Sequence, residues 1–381
     1  MIRVSAIVLA AVFTLSETPL SQAEVRTGRF HDRDSWVVDT SGLRVSVLQS
    51  GGHVAEIVLK GGAELSPLWV PTLPTIDAEQ YDAARHEKFY GGGPSARLLA
   101  GLIGHNVCFP FWGDPSEAEF KAGMTFHGET GVTRWKLIYA KGDTLLVSAD
   151  LPESKTRFTR SLRVAGAVAY FTETAENLSA WDRPVGWCEH VTIGPPFLEK
   201  GVTVIDASLT RGRNAGDTSG KEFAWPAGMA ETGIDLQKVR DVASSGFVNN
   251  FLVDRARPFA FFTAFHPKRK LLFGYIFARQ DFPWLNVWEA NNPAMLTRAM
   301  EFSNTPTHGT LRELVKTPEL FGAPAYEWLD AKGRMTKKFA AFSAHVPEDY
   351  KGVADVRIAG SKLEIVERVT GRVATLEWNG F

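Results

Sequence analysis

Three stretches of the chain combine residue types that could move protons to and from a small substrate. The first, MTFHGETGVTRW, places His127 and Glu129 two residues apart. Because side chains at positions i and i+2 of a strand point to the same side, a strand here would project both groups together. An imidazole beside a carboxylate suits an acid–base site, half of a metal site, or simply the polar face of a strand.

The other two stretches are GWCEHVTIGPPFL and MEFSNTPTHGTL. In the first of them, the two-residue period predicts that Cys188 and His190 share one face of a strand, with Glu189 on the opposite face. In the second, Glu301 ends an apolar strand just before the turn-forming SNTPTHG segment, a common position for a catalytic carboxylate. A purely structural role remains the alternative for each of these side chains.

Other reaction classes find little support in the sequence. The H-E-x-x-H and paired C-x-x-C spacings of zinc sites are missing, so no metal is predicted, although His127, Glu129 and His190 could still meet in space. There is no G-x-S-x-G elbow of the serine hydrolases. The glycine-rich YGGGPSAR lacks the Lys-Ser/Thr of a phosphate-binding loop. No cofactor is expected.

Short strands must position these groups. Period-two alternation predicts one hairpin in LRVSVLQSGGHVAEIVLKGG and another around Gly166, and it continues into the C-terminal DVRIAGSKLEIVERVTGRVATLEW. Short helices are predicted only in DAEQYDAARHEKFY, GIDLQKVRDVAS and PSEAEFKAG. Many strands without a βαβ rhythm predict an all-β antiparallel sandwich or barrel.

Charge and the N-terminus indicate the setting. Among 381 residues, 42 Lys and Arg stand against 43 Asp and Glu, and this balance offers no basic surface for nucleic acid. Arg3, the apolar VSAIVLAAVFTL and the SQA before Glu24 predict a signal peptide over residues 1–23. No later apolar run is long enough to span a membrane. Residues 24–381 are expected to form one exported β domain, periplasmic or secreted, without membrane contact after cleavage.

The chain has two cysteines, Cys108 and Cys188. An even number in an exported protein permits one disulfide, which would join the NVCFPFW and WCEHVT segments. Two buried free thiols are the alternative, because the sequence does not tell whether the two Cα atoms come within bridging distance.

Taken in order, these stretches resemble the galactose mutarotase-like (aldose 1-epimerase) superfamily. The likeness begins with GGHVAEIVL and LLAGLIGHNVCFPFWGDPSEAEFKAGMTFHGETGVTRW, continues through TETAENLS and CEHVTIGPPFL, and ends with FPWLNVWEANN and MEFSNTP. The resemblance implies a large antiparallel β-supersandwich with few short helices. It also implies that Glu301 is the base, His190 the acid and His127 a sugar-contacting residue in the interconversion of sugar anomers.

The resemblance further implies a carbohydrate partner, with a binding shell that departs from the family's pattern. Where the family usually has an aspartate, GFVNNFLVD has Val248, and GHNVCFPFWG offers an asparagine without the family's arginine. Tryptophan rings suit the apolar faces of sugars. The residues expected to contact the sugar are Asn106, Trp112, Glu129, Asn250 and Trp288.

The sequence therefore predicts an aldose 1-epimerase-like enzyme that uses general acid/base catalysis on a free or modified sugar. Loss of the family's charged sugar contacts favours an alternative, a carbohydrate-binding protein that keeps the pocket without turnover. A lyase or hydrolase acting on a polysaccharide is a third hypothesis, because one fold hosts many reactions. The sugar and the oligomeric state are left open.

Overall fold

A computed structural model describes residues 23–215, 217, 220–228, 234–239 and 244–381, without the side chains of positions 244 and 245. All but the last residue of the predicted signal peptide lie outside the described residues. In the part of the chain that is described, no helix is long and apolar enough to cross a bilayer.

The described residues form 28 strands and four short α-helices. The strands as far as the middle of the chain are β1 Glu24–Phe30, β2 Arg33–Asp39, β3 Leu43–Leu48, β4 Val54–Leu59, β5 His105–Cys108, β6 Lys136–Lys141, β7 Thr144–Leu151, β8 Thr156–Ala165, β9 Val168–Asn177, β10 Arg183–Val185, β11 Cys188–Ile193, β12 Val204–Ala207, β13 Leu209–Asn214, β14 Phe223–Ala224, β15 Ala227–Gly228 and β16 Ile234–Asp235. The remaining strands are β17 Ser244–Val253, β18 Phe259–His266, β19 Leu271–Ala278, β20 Trp284–Asn292, β21 Met295–Ser303, β22 Glu319–Leu320, β23 Ala323–Pro324, β24 Glu327–Leu329, β25 Arg334–His345, β26 Val353–Ala359, β27 Lys362–Glu367 and β28 Val373–Glu377. The helices are α1 Ala83–Tyr90, α2 Ala96–Gly101, α3 Glu117–Lys121 and α4 Leu311–Lys316.

Two large antiparallel sheets pack face to face. The first sheet has eleven strands in the order β1-β2-β3-β4-β5-β11-β21-β20-β17-β13-β14, and the second has eight in the order β12-β18-β19-β25-β9-β8-β7-β6. Alternate residues of each strand fill the space between them, including Val191 and Phe302 from the first sheet and Phe273 and Phe339 from the second. Burial of each such side chain stabilises the fold by about 1.5–3 kcal/mol. The predicted all-β antiparallel sandwich is confirmed.

A third, three-stranded sheet, β26-β27-β28, covers the outer side of the second sheet. Its apolar residues Val356 and Ile365 belong to the same buried cluster as Ile276 of β19 and Phe342 of β25. The single domain predicted for residues 24–381 stays a prediction.

Of the predicted hairpins and helices, most are present and one helix is not. Both hairpins are present, as β3–β4 and β8–β9, and α1 and α3 form where DAEQYDAARHEKFY and PSEAEFKAG predicted helices. The helix predicted for GIDLQKVRDVAS is wrong within the described residues 234–239, which contain strand β16 and a turn. There, Ile234 and Leu236 are buried while Asp235 is exposed. This alternation has the period of a strand rather than a helix.

One polar network crosses the apolar core directly behind β5 and β11. His105 lies between Glu189, at 2.8 Å from Nε2 to Oε2, and the Tyr275 hydroxyl, at 3.0 Å from Nδ1. Glu173, which pairs with Arg160, lies close enough to Glu189 to influence its ionisation. Burial raises the pKa of both glutamates. Both shifts favour the uncharged carboxyl groups.

Histidines buried in neutral form should make the fold sensitive to acid. Burial lowers the pKa of His53 and of His105 to about 3, whereas an unfolded histidine titrates near pH 6.5. Between these values the unfolded chain binds protons at these two histidines that the folded chain does not, so their contribution to the free energy of unfolding falls as the pH is lowered from about 6.5 towards 3. The buried glutamates contribute with the opposite sign. We therefore expect urea denaturation between pH 7 and pH 4 to show the histidine contribution as a difference between wild type and a histidine variant.

The same titration in His53→Gln isolates one of the two groups. In this variant the pH slope should shrink by about 1.4 kcal/mol per pH unit, the value for one proton. An unchanged slope would contradict the assignment of His53 as a neutral buried group.

Candidate active site

A row of polar side chains crosses the outer face of the first sheet. Strand register places His190 of β11 opposite Glu301 of β21 on one side and opposite Asn106 of β5 on the other. Glu301 stands opposite Asn286 of β20, which in turn stands opposite Asn250 of β17. Directly opposed residues point to the same side of a sheet, and neighbouring strands lie about 4.8 Å apart. These five side chains, the polar row, therefore share the face that turns away from the sandwich core.

His190 and Glu301 form the centre of the polar row. His190 Nε2 lies 3.2 Å from Glu301 Oε1, and His190 Nδ1 lies 3.1 Å from the Thr192 hydroxyl. Burial raises the pKa of Glu301 well above its ordinary value and lowers the pKa of His190 to about 3. Both shifts favour the uncharged forms, a protonated carboxyl group beside a neutral imidazole.

Three buried oxygens of the polar row lack a hydrogen-bond partner among the described residues. They are Glu301 Oε2, Asn106 Oδ1 and Asn250 Oδ1. The Asn250 amide is oriented by its neighbour, since Nδ2 donates to Asn286 Oδ1 at 2.8 Å. Buried polar atoms nearly always have a partner in native proteins. The row therefore offers acceptors for a ligand that carries several hydroxyl groups.

His127 lies in a turn, and the strand predicted for MTFHGETGVTRW is wrong. His127 and Gly128 have left-handed φ values of 63° and 80°, which a strand does not allow. The turn is required because Gly128 packs against the Phe109 carbonyl, where an added Cβ would lie 2.1 Å from the oxygen.

The turn fixes the protonation of the His127 ring. The His127 N–H donates to the Gly113 carbonyl at 2.8 Å, and the Gly113 N–H donates to His127 Nδ1 at 3.0 Å. Because Nδ1 is an acceptor, the proton of the neutral ring is on Nε2. Burial holds the pKa of His127 well below 6.5. His127 is thus a neutral hydrogen-bond donor.

Three imidazole rings meet at one end of the site. The His127 ring centre lies 5.7 Å from that of His190 and 5.5 Å from that of His308. His308 comes from the loop after β21 and stands edge-on to Trp112 at 4.8 Å. A hydrogen bond of 2.9 Å from the Gly309 N–H to the Trp112 carbonyl ties the two loops together.

The two tryptophans predicted to stack on a sugar have different environments. Trp288 is half-buried on the same face as the polar row, with its ring centre 6.3 Å from that of His190. Trp112 is only 1% exposed and supports His308 from below, so it offers no free face. Phe126, half-buried against His127 at 3.6 Å, is a second ring at the site.

Glu129 does not join the polar row. Its two carboxylate oxygens accept backbone N–H groups of Glu153 at 2.9 Å and Ser154 at 2.7 Å. The missing strand removes the alignment with His127 on which the predicted pairing depended. The structure uses this carboxylate to hold the loop between β7 and β8.

Cys108 and Cys188 are opposite each other in the register of β5 and β11, and both are buried free thiols. The disulfide that the even number of cysteines permits is not formed in this structure, and the alternative of two buried thiols describes the pair. Burial raises the pKa of both thiols. As predicted, Cys188 shares the face of His190, while Glu189 points into the core.

Several residues of the site were not identified from the sequence. Asn286 was within reach, since strand alternation in FPWLNVWEANN places it on the face of Trp288. His308 and Arg213 had no local signal. Arg213 of β13 stands opposite Asn250 and extends the polar row, and its Nε has no partner within the described ranges. It brings to this face the positive charge that the sequence near Asn106 did not show.

Solved structures share this architecture over most of the chain. A candidate aldose 1-epimerase from Klebsiella pneumoniae matches 83% of this chain and 80% of its own, with a TM-score of 0.62 at 13% identity. A galactose mutarotase-like protein from Clostridium acetobutylicum matches 85% and 99%, with a TM-score of 0.61 at 14% identity. A candidate aldose 1-epimerase from Escherichia coli K12 matches 82% of this chain and 99% of its own, with a TM-score of 0.57 at 12% identity. The chain has the galactose mutarotase-like fold.

Neither a protein-family model nor a curated protein sequence matches the chain. The likeness is one of architecture, and it confirms the fold that the sequence resemblance implied. Within this galactose mutarotase-like fold, the polar row occupies the outer face of the larger sheet.

The geometry of His127 predicts a fixed tautomer. We expect its ring to stay neutral with the proton on Nε2 between pH 5 and pH 8, because the Gly113 N–H occupies Nδ1 and burial disfavours the cation. Long-range proton–nitrogen NMR spectra of protein labelled at histidine would show this, with His127→Gln assigning the signal. A cationic ring at pH 6, or a proton on Nδ1, would show that the Gly113 contact is not maintained.

Proposed function

We propose that the protein is an aldose 1-epimerase-like enzyme that interconverts the anomers of a free or modified sugar. The observation that carries this proposal is the buried His190–Glu301 pair, in which Glu301 Oε2 remains an unpartnered acceptor. The pair lies at the centre of a row of hydroxyl-binding groups. Structural neighbours described as candidate aldose 1-epimerases support the same class of reaction.

Anomer exchange requires two proton transfers that cancel each other. A base removes the proton of the anomeric hydroxyl while an acid protonates the ring oxygen, and the ring opens. Closure on the other face reverses both transfers. Each positioned transfer typically contributes roughly 10²–10⁴ in rate.

A pair that shares one proton can perform both transfers. With the proton on His190, Glu301 accepts from the anomeric hydroxyl while His190 donates to the ring oxygen, which leaves the proton on Glu301. Ring closure then restores the first arrangement. The net charge of the pair does not change at any stage, which suits a buried site where an isolated charge costs several kcal/mol.

Substrate binding must prepare this exchange. In the resting protein burial favours the proton on Glu301, so the ionised carboxylate has to be stabilised by the bound sugar. An anomeric hydroxyl at Glu301 Oε2 would donate to the charged form, and hydrogen bonds to the charged form favour it. We assign to His127 Nε2–H the role of a neutral donor to a sugar oxygen. Asn106 and Asn250 would accept other hydroxyls, and the Trp288 ring would border the sugar.

We also propose that the mature protein, residues 24–381, acts outside the cytoplasm, in the periplasm or as a secreted protein. This proposal rests on the N-terminal sequence alone. The proposed anomer exchange requires no cofactor.

A carbohydrate-binding protein without turnover is the second candidate. The geometry favours it in one respect, because Glu301 Oε1 lies 3.2 Å from His190 Nε2 and burial raises the pKa of Glu301, which favours the uncharged carboxyl group over the ionised base. In that case, sugars would bind along the polar row without faster anomer exchange.

Glu301→Gln separates the two candidates. We expect the wild-type protein to accelerate anomer exchange of at least one aldose in a broad panel, followed by NMR exchange spectroscopy or polarimetry. Glu301→Gln should lower that rate by about 10²–10⁴ because the amide cannot accept the proton. Sugar binding, measured by calorimetry, should persist.

Glu117→Gln is the matched control, since Glu117 lies exposed on α3 and should leave the rate unchanged. Binding without acceleration by the wild-type protein would establish the second candidate. Neither binding nor acceleration across the panel would refute both.

A further inference from the structure

Two tryptophans expose most of their surface beside the small β10–β24 sheet. Trp181 is 77% exposed and Trp328 is 56% exposed, whereas the other nine tryptophans of the chain are buried or half-buried. Tryptophan is among the most buried side chains on average, and burying its ring is strongly favourable. Two such rings on segments that the β10–β24 sheet joins indicate a site where a ligand covers them.

Hydrogen bonds fix the backbone of the two segments that carry these rings. Trp328 stands opposite Pro184 in the register of the two-stranded sheet. The buried Asn177 side chain donates from Nδ2 to the Trp181 carbonyl at 2.7 Å and to the Asp330 carbonyl at 3.0 Å. One amide thus ties the two tryptophan-bearing segments together. A preformed surface loses little conformational entropy when it binds a ligand.

The surroundings of the rings favour a carbohydrate. The Tyr326 ring centre lies 6.0 Å from that of Trp328. Asp182 follows Trp181 in the sequence, Asp330 lies two residues after Trp328, and Asp182 Oδ1 accepts the Ala331 N–H at 2.8 Å. Pyranose rings combine an apolar C–H face, which packs on flat aromatic rings, with a rim of hydroxyls that carboxylates can accept from. A membrane surface would instead require an excess of Lys and Arg.

A protein partner is disfavoured by the small extent of the apolar surface. Besides the rings, the exposed large apolar side chains near this sheet in the described part of the chain are Leu178 and, on the neighbouring helix α4, Val315, each at 38% exposure. A stable protein interface buries about 800 Å² on each partner. Two or three aromatic rings instead match the size of a short run of sugar units.

The exposed rings are connected to the strands of the candidate active site. The Trp187 N–H, just before β11, donates to Asn304 Oδ1 at 2.7 Å, and Asn304 Nδ2 donates to Glu327 Oε2 of β24 at 2.8 Å. Asn304 directly follows β21, the strand of Glu301. The same two strands that carry the acid–base pair therefore lead into the segments that carry the rings.

We propose that Trp181, Trp328 and Tyr326 form a surface platform that binds the pyranose rings of an oligosaccharide or polysaccharide chain. The platform is a second carbohydrate site, separate from the polar row. This proposal deepens the proposed function and rests on it, because it takes sugars as the ligands. It implies that the enzyme works near glycan chains.

Affinity electrophoresis in gels that contain soluble polysaccharides tests the platform. The panel comprises a mixed-linkage β-glucan, xyloglucan, xylan, galactomannan and a polyuronate. We expect the wild-type protein to be retarded by at least one of them, and Trp181→Ala/Trp328→Ala to bind at least tenfold more weakly. Phe89→Ala is the matched control, because Phe89 is 55% exposed on α1, and it should be retarded like the wild type.

Three further measurements make the outcome decisive. Trp181→Ala alone removes the more exposed ring, so it keeps the test valid if the double variant does not fold, and it should weaken binding on its own. Glu301→Gln should keep full retardation, while the platform variants should keep the exchange rate of small aldoses. This separates failure of the platform from failure of the proposed enzyme activity. Absence of retardation by every polysaccharide, or equal retardation of wild type and platform variants, would overturn the proposal.

Discussion

Strand register across the first sheet is the constraint on which the site depends. The polar row exists because His190, Glu301, Asn286 and Asn250 stand directly opposite one another on neighbouring antiparallel strands. Side chains alternate along a strand, so a slip of one residue in β11 would turn His190 into the apolar core and bring Glu189 out to the surface. No loop rearrangement could compensate for such a slip. The His190–Glu301 pair is therefore a property of the sheet as a whole.

Buried polar residues on the core side of the same strands help to make this register unique. His105 and Glu189 precede Asn106 and His190 by one residue each, and they join Tyr275, Glu173 and Arg160 in a fully buried network. Removing one partner of a buried ion pair typically destabilises a protein by about 3–5 kcal/mol, because a charge is left without compensation. A misaligned β5–β11 pair would break this network. The buried polar groups on one face thus keep the site residues aligned on the other face.

The sequence predicted those features that depend on local alternation. It placed Cys188 and His190 on one face with Glu189 behind them, and it indicated the antiparallel sandwich, because a two-residue period is visible in any strand. The sequence-based predictions failed where the backbone does not follow the two-residue period of a strand. The left-handed turn at His127 follows from packing of Gly128 against Phe109, a contact between segments that no local pattern reveals. Arg213 and His308 reach the site from distant segments, and only the assembled sheet and the Gly309–Trp112 contact bring them there.

The unpartnered acceptors of the polar row are groups that a polyhydroxyl ligand could satisfy. Leaving a buried acceptor unpaired costs about 1–3 kcal/mol, and the polar row contains three such oxygens at positions set by strand spacing. A ligand that donates to all three recovers this free energy, whereas one that lacks a hydroxyl leaves at least one acceptor buried and unpaired. In the proposed enzyme, the hydroxyl that satisfies Glu301 Oε2 would also stabilise the ionised carboxylate and thereby shift the proton towards His190. Recognition of the ligand and preparation of the acid–base pair would in this way be one event, driven by the same hydrogen bond.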